Sequence, residues 1–390
     1  LIKNAHIINY DDIFDGDILI EDNVITKIAK NIDEKNADLI DAEGKLVFPG
    51  FIDAHTHPGL PEDLGYMKNS NDFYTETKAA LAGGTTTIYD FAEQKKGERL
   101  IHALMSRRKR AEGNVQCRYG LHIAITDVQD DIYDQLKEVK AHGVTTVKLY
   151  TTYAMMLNNY DILKVMDCCA ALDMVVLVHC EDDGIVKYSS KFTEYNLTRP
   201  REAEVNAVAL IANLAKITGC RVYFCHISCS DSIDIIKKAE EKGVKAYIET
   251  CPQYLLLNSS KYKSSNEKEV TKFILSPPLR EEEDNRLLLK ACIEGDVDLI
   301  STDHCAFLYK EHKARYYGDL SRAAKGMPGV QLRTSLMYDL LVEKNKLSLS
   351  NFVKLLSYNP AKILGLKDRG YIGEGMKSDI VIWDTGKFKV

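Results

Sequence analysis

No pair of cysteines in this 390-residue chain stands in a C-x-x-C arrangement, although the sequence has ten of them. Scattered thiols, two of them adjacent (Cys168 and Cys169), supply neither a thiolate zinc site nor a disulfide framework, and they read as packing residues in a reducing cytosol. No apolar stretch approaches the roughly 20 residues that cross a bilayer. No charged-then-apolar leader opens the chain, which starts at Leu1; this predicts a cytoplasmic protein with a trimmed start. Positive charge is not in excess either. A formal net charge of -6 leaves no footprint for nucleic acid or an anionic membrane. The basic run Arg107-Arg108-Lys109-Arg110 falls in a helical stretch and reads as a solvated face.

What is present is an ordinary globular composition, 45% hydrophobic and 28% charged. The length suits two or three average domains, or one barrel with an appendage. His55-Thr56-His57 ends an apolar run just after a Pro49-Gly50 turn. Alternate side chains of a strand share a face, so this spacing aims two imidazoles at one point. Four further β-like runs end on or near a possible metal ligand: Lys148, His179, His226 and Asp303. Five strand ends thus offer six groups that a divalent metal binds, provided the lysine is modified. Isolated core histidines would not stop repeatedly at the same place on a strand. Alternation also predicts that the sulfurs of Cys180 and Cys225, next to His179 and His226, face the other way. His122 and His142 read as structural.

Residues 1–48 consist of short strands and turns, a small β unit. From Phe51 the rhythm becomes strand, helix, strand, with eight strand candidates: 51–57, 85–91, 118–126, 146–151, 175–179, 221–228, 245–250 and 298–303. Amphipathic stretches separate most of them. Eight βα repeats with reactive groups at the strand C-termini predict an α/β fold, a (β/α)8 TIM barrel spanning 49–366. Gly83-Gly84 reads as a helix stop. Residues 367–390 return to β character and are expected to rejoin the N-terminal strands in one discontinuous small β-sandwich domain, truncated at a strand-like end.

These motifs together resemble the dihydropyrimidinase and hydantoinase family of the amidohydrolase superfamily, nearest the bacterial D-phenylhydantoinases. The resemblance rests on residues 48–57 (FPGFIDAHTH), Gly83-Gly84-Thr85-Thr86-Thr87, Lys148 with Tyr153, Glu249-Thr250-Cys251-Pro252-Gln253-Tyr254, Ser276-Pro277-Pro278-Leu279-Arg280 and Thr302-Asp303-His304, and it covers nearly the whole chain. It implies that Lys148 is carbamylated by carbon dioxide and bridges two divalent metal ions, usually zinc. His55, His57 and Asp303 would hold one ion, and His179 and His226 the other. Tyr153 matches the family tyrosine that hydrogen-bonds the substrate carbonyl, and backbone groups near Ser276 and Lys325-Gly326 match the places that hold the ring amide. Two features depart from the family: Lys325 stands where many relatives have Asn, and the C-terminal extension that completes subunit contacts is missing. A homo-oligomer, dimer or tetramer, is expected.

The resemblance implies a hydrolase that opens the cyclic amide of hydantoins or dihydropyrimidines to N-carbamoyl amino acids by means of a bridging hydroxide. Asp303 would shuttle the proton and Tyr153 would stabilise the oxyanion. An allantoinase-type ureide hydrolase and a non-catalytic scaffold of the same fold are the alternatives. Tyr66, Met67, Phe91, Met155 and Met156 suggest a partly apolar pocket that suits aryl substituents.

Overall fold

The computed structural model describes residues 1–60, 69–190 and 194–386. Eight parallel strands form one sheet curved into a barrel: β6 (Phe51–Asp53), β7 (Thr85–Glu93), β8 (Arg118–Ala124), β9 (Thr146–Tyr150), β10 (Val175–His179), β11 (Arg221–Phe224), β12 (Ala246–Thr250) and β13 (Leu299–Ile300), each hydrogen-bonded to the next. Both faces of β9 and β10 are buried along their whole length, which is why they are short, largely apolar runs without polar alternation. Five preceding strands, β1 (Ile2–Ile8), β2 (Ile13–Glu21), β3 (Val24–Ala29), β4 (Ile40–Asp41) and β5 (Leu46–Pro49), pair in a second sheet. β14 (Ile380–Trp383) joins it antiparallel to β5, with Ile382 opposite Val47.

Helices fall between the barrel strands, among them Phe73–Ala82, Leu100–Ala111, Ile132–Ala141, Asn159–Ala171, Arg201–Thr218, Ser230–Glu240 and Glu282–Glu294. The apolar face of each packs on the outside of the barrel. Ile211 and Leu214, for example, share a core with Val176 and Val222. Gly83 caps the first of these helices, and Gly84 follows in the left-handed region (φ 80°) before β7 begins. A Cβ at Gly83 would meet the Gln331 carbonyl oxygen at 2.3 Å, so a larger residue does not fit there.

Several strands end earlier than the sequence suggests. β6 stops at Asp53 and β13 at Ile300; beyond them the two segments are joined by side-chain hydrogen bonds and an isolated bridge in place of a continuous ladder. The Asp53 carboxylate accepts from Thr302 N (3.1 Å) and Thr302 Oγ1 (2.7 Å), Thr56 bridges to His304, and His57 N donates to His304 O at 2.9 Å. These contacts tie the first and last strands of the barrel together. They also set the 302–304 segment beside the His55–His57 segment.

The basic run is not wholly solvated. Arg107 is buried, donating twice to Asp90 (2.5 and 3.0 Å) and to the carbonyl of Gly59 at 2.9 Å, so it anchors the turn that follows His57. A carboxylate on β7 one helix away accounts for this, and the helical pattern alone did not reveal it. Lys109 and Arg110 are exposed.

Candidate metal centre

Nine polar side chains singled out in the sequence line one cavity of about 420 Å³ at the C-terminal rim of the barrel: His55, His57, Lys148, Tyr153, His179, His226, Ser276, Asp303 and Lys325. The barrel topology brings them together from strands far apart in the chain. Three of them, Tyr153 (φ 73°), His226 (φ 38°) and Asp303 (φ 51°), have left-handed backbones. Residues other than glycine rarely adopt that conformation, and where they do it often re-aims a functional side chain.

Two donor clusters result. Asp303 Oδ1 lies 3.0 Å from His57 Nε2 and 3.3 Å from His55 Nε2. His179 Nδ1 lies 3.0 Å from His226 Nε2. The His55 and His226 rings are 5.4 Å apart, so the clusters adjoin. Nitrogen ligands at about 2.0–2.1 Å from a tetrahedral ion stand about 3.3 Å from one another, close to the spacings seen here.

The outer hydrogen bonds point the same way. His55 Nδ1 faces Glu249 Oε1 at 3.0 Å, which frees Nε2 for the cluster. His179 Nε2 faces Glu181 Oε2 at 2.7 Å, which frees Nδ1. A carboxylate behind an imidazole fixes its tautomer and raises its basicity as a ligand. Glu249 is itself fixed by the Tyr223 hydroxyl and by His226 N (2.7 Å). Burial, together with the neighbouring imidazoles and Lys148, holds His226 well below the usual histidine range, so the ring stays neutral and able to bind metal. These donors fit a divalent metal centre.

Lys148 is buried among them, 1% exposed. Its Nζ donates to Cys225 Sγ at 3.0 Å and forms no ion pair among the described residues. The Cys225 sulfur therefore faces the barrel interior, contrary to the expectation from strand alternation. β11 ends at Phe224, and the left-handed turn at His226 lets consecutive side chains reach the same side. Cys180, by contrast, packs in the core between barrel and helices. Cys225 can also form an alternative ligand group with His55 and Glu249.

Glu181, Arg199 and Glu249 are the residues that sequence reasoning passed over. Burial alone would raise the Glu181 carboxyl, but Arg199 and His179 take it down to about 2. Arg199 donates to Glu181 (3.0 Å from Nε) and lies 4.9 Å over the Tyr153 ring, so one ion pair supports both a candidate ligand and the tyrosine. The signals were there to see. Glu181 follows His179 by two positions, and Glu249 lies in a motif already singled out.

Two of the apolar candidates are corrected. Phe91 does not line the cavity; its ring stacks on His57 (4.8 Å) and meets His55 edge-on (4.9 Å), packing that fixes the imidazoles. Met156 is 40% exposed and lies outside the cavity, whereas Met155 lines it. Tyr66 and Met67 lie outside the described residues. His122 is buried, bonded to Thr146 and to the Ala54 carbonyl, and His142 is exposed beside the Glu138 carbonyl.

A parallel barrel that converges imidazoles and a carboxylate on a substrate-sized cavity has the architecture of a hydrolytic metal site. Residues 46–389 match the model of the Amidohydrolase family. The chain is 35% identical to the D-hydantoinase of Geobacillus stearothermophilus over 98% of its own length and 84% of that protein. It is 34% identical to the D-phenylhydantoinase of Escherichia coli K12, over 98% and 85%. The crystal structure of dihydropyrimidinase from Brevibacillus agri superposes with a TM-score of 0.94 at 32% identity, covering 98% of this chain and 85% of that one. The chain belongs to the amidohydrolase family, in its hydantoinase and dihydropyrimidinase group. The family implies a divalent metal centre.

Proposed function

We propose that this cyclic amidase hydrolyses the ring amide of hydantoins or dihydropyrimidines to N-carbamoyl amino acids. The observation that carries the reading is the convergence of His55, His57, Lys148, His179, His226 and Asp303 on one cavity that also holds Tyr153 and Ser276. His55, His57 and Asp303 would hold one divalent ion, His179 and His226 a second, and Lys148, carbamylated by carbon dioxide, both; zinc suits the nitrogen-rich donor set. When bound, the ions supply a nucleophilic water at neutral pH and an electrophilic anchor for the carbonyl.

Asp303 Oδ1 faces the two imidazoles, which leaves Oδ2 to take the proton of the attacking water and pass it to the departing ring nitrogen. Tyr153 Oη donates to the carbonyl oxygen as charge develops there. Burial raises the Tyr153 phenol above its ordinary value, so it keeps the proton it must donate. Ser276 and the backbone at Lys325-Gly326 would position the ring amide.

Residues 1–48 and 367–390 act as one small unit on the barrel of 49–366, a division supported by the β5–β14 pairing and by a separate apolar core containing Ile7, Val47 and Ile372. A homo-oligomer, dimer or tetramer, is proposed from the family. Ten free thiols support a reducing, cytoplasmic setting, and no helix among the described residues is long and apolar enough to cross a membrane.

The test compares ring opening of dihydrouracil, hydantoin and phenylhydantoin by one preparation before and after chelation. Ring opening that is lost on chelation and restored by divalent metal supports the reading. No ring opening of any of the three would overturn it. Lys148→Ala is expected to lose bound metal and activity together, and full activity in that variant would refute the bridging role.

A further inference from the structure

Lys325 places an ammonium in the substrate cavity, and no carboxylate among the described residues forms an ion pair with it. Its neighbour Gly326 (φ 154°) donates from its N to Ile274 O at 3.1 Å, so this segment runs beside the one that presents Ser276. A Cβ at Gly326 would come within 2.6 Å of the Cys305 carbonyl oxygen, which leaves the backbone little room to move. The lysine is thus anchored at a fixed point of the cavity wall. Its Nζ donates to Ser321 O at 3.2 Å and forms no ion pair among the described residues. Glu181 is engaged by Arg199 and His179, and Asp303 by His55 and His57, while Glu93, which also lines the cavity, forms no ion pair with Lys325.

Burial and the Arg199 guanidinium push the Lys325 ammonium below its ordinary value, with Glu181 partly opposing them. A half-buried cation among like charges is unfavourable until a ligand brings the opposite one. Apolar side chains, Leu60, Met155 and Phe307 among them, line the same cavity, so Lys325 is a localised charge on a largely apolar wall.

We propose that the ring substituent selected by this site bears a carboxylate, with Lys325 as the specificity-determining cation. The preferred substrate class is then a hydantoin with a carboxyalkyl side group. This deepens the ring-opening reading and rests on it. Water adds to the ring carbonyl carbon, the amide C–N bond breaks, and the proton passes to the departing nitrogen. The product is an N-carbamoyl derivative of an acidic amino acid, with the side-group carboxylate unchanged.

The test uses two hydantoins of equal shape, one carrying a carboxyethyl and the other a carboxamidoethyl group, with unsubstituted hydantoin alongside. The specificity constant kcat/KM is measured on the purified, metal-loaded protein and on Lys325→Gln. The wild type is expected to favour the carboxylate by roughly tenfold or more, a preference that shrinks with added salt and approaches unity in Lys325→Gln. Equal or faster turnover of the carboxamide by the wild type would overturn the proposal, and so would an undiminished preference in the variant. If unsubstituted hydantoin were opened without any carboxylate preference, only this inference would fail. If none of the three hydantoins were opened, the ring-opening reading itself would fall.

Discussion

The burden on single residues is greatest at Glu249, which touches no substrate yet holds His55 by its Nδ1 and His226 by its main-chain N. Glu249→Gln keeps the shape but weakens the acceptor behind the imidazole, and loss of such an outer partner typically costs 10- to 100-fold in metal affinity, the expected effect here. Competition with a chromophoric chelator measures it; an unchanged affinity would remove Glu249 from the account. Tyr153 is tested differently. Tyr153→Phe keeps the ring under Arg199 but removes the hydroxyl, and a fall in kcat of roughly 100- to 1,000-fold with a smaller change in KM is expected if Oη stabilises the transition state. The histidines and Asp303 were legible in the sequence because each stands at the end of an apolar run. Arg199 was not, because nothing in its local pattern reveals that Glu181 and the Tyr153 ring will lie beside it.

Barrel strands were legible as elements, β10 to both of its ends, but most of the others not at their C-terminal ends. β11 shows why: the run Arg221–Phe224 reads as continuous with the residues after it, but the left-handed backbone at His226 ends the alternation on which the Cys225 expectation rested. No periodicity anticipates a single residue with positive φ. The seam between β12 and β13 carries its own prediction. Asp298, just before β13, accepts from Ile248 N at 2.8 Å, and burial, aided by Glu240 and Asp296, raises its carboxyl to about 6. The unfolded chain titrates this group near 3.9. The native state therefore holds the proton more tightly, and stability falls as pH rises from about 4 through about 6, with the full penalty present above that range. Asp298→Asn, which retains an acceptor, should raise Tm at pH 8 by the equivalent of about 1–2 kcal/mol once solvent screening is allowed for, and little at pH 4. Thermal melts at the two pH values check the sign, and a larger gain at pH 4 would contradict it.

On the scale of the molecule, the small sheet is stitched to the barrel from both ends of the chain. Asp379 binds Arg118 of β8 (2.7 Å to Nε) and, through its carbonyl, Gly50 N (2.6 Å), just ahead of β6, while Trp383 packs on Tyr338 with ring centroids 5.4 Å apart. The first strand that carries metal-binding candidates is thereby anchored at its start. Divalent ions held between strand ends, as proposed, would bind the folded chain alone and add stability by mass action: about 2.7 kcal/mol at a free concentration 100 times Kd. Chelation should accordingly lower Tm, and re-addition of metal should restore it. A Tm indifferent to chelator would show that the rim clusters hold no ion.

The central claim is a pair of divalent ions joined through a modified Lys148. The most direct measurement combines elemental analysis of the purified protein with carbon-13 NMR after equilibration in labelled bicarbonate. The account predicts about two divalent ions per chain and a carbamate resonance that disappears in Lys148→Ala. A chain free of bound metal, or a Lys148 amine that takes up no label, would contradict it.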